Sequence, residues 1–214
     1  MNKRKVFCIL IFIIGFCIFA YPFISNYLYE KQHDYVIENY NNEVLKYEDF
    51  TDEWEKANKY NEGLLYAKDI EYEYNDVLNI LGNGIIGTIK IPKINVNLPI
   101  YHGTSEEVLK IGAGHIEGTS FPTGELGIHA VISGHRGLPS SKLFTDLDEL
   151  KVGDRFTLSI LDRELTYEID QIEVVEPNDV DSLKIEKDKN YVTLVTCTPY
   201  GINSHRLLIR GVGV

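Results

Sequence analysis

Cysteine is scarce in this chain and badly placed for cross-linking. There are three in 214 residues. Cys8 and Cys17 lie in an apolar run near the N-terminus, so Cys197 is the lone thiol of the polar part and no disulfide can form within that part. An unpaired cysteine in an exported chain marks a reactive thiol or an intermolecular bridge. Surplus positive charge is also missing. The balance of 21 Lys and Arg against 32 Asp and Glu gives a net charge of −11, which argues against nucleic acid as a partner because phosphate binding needs a basic surface. One extramembrane cysteine and dispersed histidines lack the close ligand spacing of a zinc module. No glycine loop suited to cradling phosphate and no nucleotide fingerprint occurs. Neither a metal nor an organic cofactor is therefore expected. Internal repeats and low-complexity tracts are absent, and residues 25–81 contain no proline.

What is present divides the chain in three. Lys3, Arg4 and Lys5 precede an uncharged run, Val6 to Ile24. As a helix it spans roughly 28 Å, close to the thickness of a bilayer core. Basic residues before it and acidic ones after it place the N-terminus in the cytoplasm and the bulk of the chain outside. No good small-x-small cleavage site follows, so the run reads as an uncleaved single-pass anchor, residues 1–24, rather than a signal peptide. Residues 25–81 are acidic and rich in tyrosine. Between Glu30 and Asp76 there are 14 acidic and 5 basic residues, a net of −9, which leaves −2 for everything else. Tyr35, Ile37, Tyr40, Val44, Leu45, then Tyr60, Leu64 and Leu65 recur at helical spacing, and Thr51 or Asp52 is suited to cap a second helix. This region reads as a helical stalk, with Lys56 to Leu81 as a candidate cover for a groove. Composition shifts at Gly82-Asn83-Gly84. Residues 82–214 read as short strands between turn signals, the pattern of a barrel or sandwich. The predicted strands are Ile85 to Ile91, Asn97 to Tyr101, Gly127 to Ser133, Arg155 to Leu161, Leu165 to Val175, Tyr191 to Thr196 and Leu207 to Ile209. Pro92 and Pro99 suit strand ends or edges. Short helices are predicted at Ser105 to Ile111 and Ser140 to Leu147, the second with Ser140 as its cap.

Cys197 ends one of the two last strands and Arg206 begins the other, with Pro199, Gly201 and Asn203 in the turn between them. A thiol and a guanidinium are thus brought to neighbouring strand ends. A free thiol has a pKa of about 8.5, so a cysteine nucleophile needs a proton acceptor beside it. A histidine supplies that and can later protonate a leaving amine. An arginine stabilises a developing oxyanion with directed, permanently charged donors. Of the six histidines, His33 lies in the stalk. His135 ends an apolar strand between Gly134 and Arg136 and leads the candidates. His115, His129 and His205 remain open alternatives, as does His102. The competing readings are a buried structural cysteine, structural or surface histidines, and an Arg206 that serves a salt bridge.

Thr193-Leu194-Val195-Thr196-Cys197 resembles the TLxTC signature of sortases, the membrane-anchored cysteine transpeptidases of Gram-positive bacteria. The runs TLVTCTPYGINSHRLLIRG, IPKINVNLPIYHGTSEEVLKIGAGHIEGTSFP (from Ile91) and SGHRGLPSSKLFTDLDELKVGD (from Ser133) resemble class C, the pilin-polymerising sortases. The resemblance spans about Tyr74 to Gly211. It implies an eight-stranded β-barrel, with Cys197 as nucleophile, His135 as the catalytic histidine and Arg206 as the catalytic arginine. It implies cleavage of an LPxTG-like sorting signal through a thioacyl-enzyme, followed by transfer to a pilin lysine amine, with no cofactor. Transfer to a cell-wall peptidoglycan precursor is the alternative within the family. A non-catalytic, membrane-anchored binding or scaffold protein is the alternative outside it. Class C enzymes carry an Asp-Pro-aromatic lid before the barrel, and no Asp-Pro pair occurs upstream here. The lid is expected to be shortened or absent.

Overall fold

The apolar run and the first half of the acidic region form one helix. The computed structural model describes residues 3–138 and 141–214, less the side chain of Val6. Its helix α1 (Lys3–Val44) is 42 residues long, and its N-terminal half is long and apolar enough to cross a membrane. Its C-terminal half is amphipathic. His33, Ile37, Tyr40 and Val44 are buried, at the three- and four-residue spacing of one helix face. Tyr35 and Leu45, expected on that face, are exposed. The predicted stalk therefore does not stand free but lies along the barrel wall. The Tyr40 hydroxyl donates to the Ile86 carbonyl at 3.3 Å.

Helix α2 (Thr51–Tyr66) follows. Neither Thr51 nor Asp52 caps it. Phe50 is the N-cap residue and gives no side-chain bond, while the Asp49 carboxylate accepts from the Thr51 amide at 2.9 Å and the Thr51 hydroxyl at 2.6 Å. The face Trp54, Ala57, Tyr60 is buried in the main core. The Trp54 indole donates to Asp162 at 2.8 Å, and the Arg163 guanidinium lies over its ring at 4.0 Å. Asn61 clamps the Phe121 backbone, donating to its carbonyl at 2.9 Å and accepting from its amide at 2.7 Å.

The rest is a closed barrel of eight strands in the order β1-β2-β3-β4-β7-β8-β6-β5. These are β1 (Ile85–Ile91), β2 (Val96–His102), β3 (Ala113–His115), β4 (Ile128–Ser133), β5 (Arg155–Ile160), β6 (Arg163–Val175), β7 (Asn190–Thr198) and β8 (His205–Gly213). Pro99 sits in the part of β2 that pairs with β1 before the β3 ladder begins at Ile100. Its missing N–H therefore costs no ladder bond on the β3 side. Helix α3 (Glu106–Ile111) has Ser105 as its cap, accepting from the Val108 amide. The helix predicted from Ser140 is replaced by turns and a short 3₁₀ segment, Leu147–Glu149. Ser140 itself lies outside the described residues.

Strand directions define the two ends of the barrel. β1, β4, β6 and β7 run toward one end, the upper rim, and β2, β3, β5 and β8 run away from it. α1 descends from the upper rim, where Asn26 accepts from the Lys142 amide at 2.9 Å, to the lower, where Tyr40 and Val44 cluster with Ile85. α2 closes the lower rim, against Asp162 in the β5–β6 turn and Phe121 before β4. Residues 56–81 were a candidate cover for a groove, and their helix lies at the end of the barrel away from Cys197.

Candidate active site

The upper rim carries three side chains in one row. Cys197 and Arg206 are direct Cα partners across the antiparallel pair β7–β8, so both side chains project from the same face of the sheet. The alternation along β7 identifies that face. Val192 and Leu194 join the main core, whereas Val195 packs outside it with Val131 and Leu208. Cys197, two residues beyond Val195, is therefore on the outer wall and partly exposed. On the other side, β4 and β7 are parallel with Ser133 opposite Val195. The register holds past the strand end. The Gly134 amide donates to the Val195 carbonyl at 3.0 Å, and the Thr196 hydroxyl donates to the Gly134 carbonyl at 2.8 Å. This carries His135 opposite Cys197. Adjacent strands lie about 4.8 Å apart, so the backbones of His135 and Arg206 lie on either side of that of Cys197.

The loop after His135 is tied to the core. A Cβ on Gly134 would fall 2.6 Å from the buried Phe144 ring, so only glycine allows this approach. The Phe144 amide donates to the His135 carbonyl at 3.1 Å, closing the loop on itself. Arg136 reaches across to β7. It donates to the Thr198 hydroxyl at 3.2 Å and pairs with Asp148. It thus holds the residue after Cys197 against the residue after His135. Sequence pattern noted Arg136 only as a neighbour of His135, because nothing in the spacing shows that it spans two strands.

Charge separates Arg206 from its fellows. Arg136, Arg155, Arg163 and Arg210 each meet a carboxylate. Among the described residues Arg206 meets none, and donates only to the carbonyls of Asn203 and His205, at 3.3 and 3.1 Å. Its charge is uncompensated and available to an incoming anion. His135 differs in the same way from the three histidines buried in the barrel. His102 lies between the carbonyls of Gly84 and Val77, at 3.1 and 2.8 Å. His115 contacts the Tyr74 hydroxyl and the Ser120 carbonyl, at 3.0 and 2.9 Å. His129 contacts the Lys184 carbonyl and the Thr193 hydroxyl, at 3.0 and 2.7 Å. These are structural ring placements. His33 is buried on α1, and His205 is exposed beside Arg206 with Ser204 at 2.8 Å. The His135 ring has no hydrogen-bond partner among the described residues. Partial burial pushes its pKa below the ordinary value, with Glu106 pulling up and Lys110 pushing down. This direction favours the neutral imidazole, the form able to take a proton.

Comparisons with known proteins place the chain in a family. A sortase domain family model matches residues 89–214. Among curated relatives, sortase D of Bacillus subtilis (strain 168) is 35% identical over 116 residues, 53% of this chain. That match spans 54% of the relative, so about half of its length. Among solved structures, sortase C1 of Streptococcus agalactiae superposes with a TM-score of 0.79 at 48% identity, covering 84% of this chain and 97% of that one. The structure of Clostridium perfringens sortase C with the C-terminal cell wall sorting motif gives 0.76 at 48% identity, covering 84% and 97%.

Proposed function

From a chain that belongs to the sortase family, we propose a membrane-anchored transpeptidase whose catalytic residues are Cys197, His135 and Arg206. The strand register that brings His135 and Arg206 to either side of Cys197, with the guanidinium uncompensated, supports this assignment. The substrate is an LPxTG-like sorting signal, in keeping with the sorting motif named for the Clostridium perfringens structure. His135 takes the Cys197 proton. The sulfur attacks the carbonyl carbon of the Thr–Gly bond, and Arg206 stabilises the oxyanion. The C–N bond breaks as His135 returns the proton to the departing amine, leaving a thioester on Cys197. A second amine then attacks the thioester and the thiol departs. α1 anchors the enzyme, with its N-terminus in the cytoplasm and the barrel outside.

The acceptor is a pilin lysine, which fits the class C structures at 41–48% identity. Anchoring to a cell-wall peptidoglycan amine is the second reading. One observation favours it: the helix before the barrel closes the lower rim instead of covering Cys197. The test mixes wild type and Cys197→Ala with an LPxTG-type peptide, a purified pilin subunit and a cell-wall bridge amine, read by intact mass. A pilin–peptide adduct made only by the wild type is expected. An adduct with the bridge amine alone moves the assignment to cell-wall anchoring. An acyl-enzyme formed by neither protein, or adducts formed equally by both, would return the chain to the non-catalytic binding reading.

A further inference from the structure

The helix that reaches the membrane meets the barrel at the rim that carries the thiol. The uncharged run of α1 ends at Ile24, and Asn26 already accepts from Lys142 in the loop that follows His135. Those two residues are about 3 Å of helix. From Asn26 the same helix leads away from the bilayer for about 27 Å before Val44 reaches Ile85 at the lower rim. α1 is continuous through both halves, so the membrane cannot lie at the α2 end without breaking it. The connection between β7 and β8, residues 199–204, projects from this upper rim. The Ile202 and Asn203 amides both donate to the Pro199 carbonyl, at 3.1 and 3.0 Å, which folds the turn tightly. Its tip exposes Tyr200 and Ile202, at 61% and 72% of their full surface. Tyr200 also packs on the loop after His135, where a Cβ at Gly137 would come within 2.9 Å of its ring. Exposure alone would not assign these residues, since Leu126 at the lower rim is 68% exposed. The position of the membrane helix separates the two.

We propose that the Cys197 rim is the membrane-facing surface of the barrel, with the 199–204 turn seated in the lipid headgroup layer. The partner is a lipid surface, met by an aromatic and an aliphatic side chain of the type that settles at that depth. The proposal rests on the anchoring of α1 given above. It implies that Cys197 works within the interfacial layer, so that a peptide tethered to the same membrane gains effective concentration there over one free in solution.

The test uses the full chain carrying Cys8→Ala, Cys17→Ala and Cys197→Ala, reconstituted in phosphatidylcholine vesicles. Single cysteines are introduced as Ile202→Cys, Leu126→Cys or Ile13→Cys and labelled with an environment-sensitive fluorophore. Lipids bearing a nitroxide on the headgroup, or on the acyl chain, serve as quenchers. Interfacial side chains sit within ~10 Å of the headgroup–acyl boundary, so the headgroup quencher should dim the Ile202→Cys label several-fold more than the Leu126→Cys label. The acyl-chain quencher should dim the Ile13→Cys label. Equal quenching at the two rims, or more at Leu126→Cys, with the Ile13→Cys label quenched, overturns the orientation and leaves the anchor standing. An Ile13→Cys label untouched by the acyl-chain quencher overturns the anchor, and the orientation with it.

Discussion

The two rims of the barrel use the same side chains for opposite ends. At the lower rim His102, His115, Tyr74 and Phe121 form a buried ring cluster, with His115 stacked on Phe121 at 4.6 Å and Tyr74 edge-on to His102 at 5.1 Å. The imidazole nitrogens there are engaged by backbone carbonyls or a tyrosine hydroxyl. α2 covers the cluster, Tyr60 meeting Phe121 edge-on at 5.0 Å. At the upper rim His135 and Arg206 are half-buried and, among the described residues, have no partner of opposite charge in bonding range. A satisfied polar group stabilises a fold, and an unsatisfied one beside solvent is available to a substrate. On the proposed function the same residue type serves stability at one end and chemistry at the other, and its hydrogen-bond partners distinguish the cases.

The division is sharpest at Arg206. Arg206→Ala should slow acyl-enzyme formation ~100- to 1000-fold, the usual loss for one oxyanion donor. Its unfolding free energy should stay within about 0.5 kcal/mol of wild type, as for a surface change. Arg206→Lys should recover little, because the ammonium lacks the planar fork. Single-turnover mass spectrometry and thermal unfolding check both. A large loss of stability with chemistry intact would place Arg206 with the lower-rim residues and break the comparison.

The lower rim is tested by pH. Complete burial pushes the His115 pKa down to about 4, whereas in the unfolded chain it titrates near 6.5. The unfolded state therefore binds the proton first as pH falls. The contribution is present in full above about pH 6.5 and is lost progressively toward pH 4, of the order of 3 kcal/mol in all. His33, His102 and His129 are lowered in the same direction, also chiefly by burial. Unfolding of the full chain in detergent should weaken steadily across this window. His115→Gln should give a less stable protein at pH 7 with a shallower slope. A slope unchanged by that substitution would show that His115 is protonated in the folded state.

Much of this was legible from residue order. The predicted β1 matches the structure to the residue, and six further predicted strands match with boundaries shifted by a few residues, because alternation and turn residues mark them. β3 was missed as a separate strand. It is three residues long, with Gly114 at its centre, too short to show a period. The pairing of Cys197 with Arg206 followed from a hairpin whose strands meet across a short turn. The addition of His135 to that row depended on a parallel pairing between strands some sixty residues apart, which local pattern does not encode. Helical spacing revealed that α2 has an apolar face, but not which rim that face covers. That choice was made by side chains distant in sequence, Asp162 and Phe121. The amphipathic half of α1 likewise showed a face without its partner.

The smallest effect probes how far the upper rim is open to solvent. His135 responds to two charges on α3, Glu106, which raises its pKa, and Lys110, which lowers it. The two form a 2.6 Å ion pair with both side chains exposed. If neutral His135 accepts the Cys197 proton, its pKa sets the acid limb of kcat/KM. Lys110→Gln removes a cation and should move that limb to higher pH. Glu106→Gln removes an anion and should move it to lower pH. Each shift should be only a few tenths of a unit, because exposed charges are well screened. Both should vanish in ~1 M salt, where screening acts over about 3 Å. Besides burial, only the Ser120 backbone and His102 act on the His115 pKa among the described residues, so its stability window should ignore the same salt. A limb that moves the same way in both variants, or persists unchanged in high salt, would mean that a group other than His135 governs it. Opposite, salt-sensitive movements at one rim and an insulated titration at the other would show that the barrel keeps His135 in contact with solvent and shields His115.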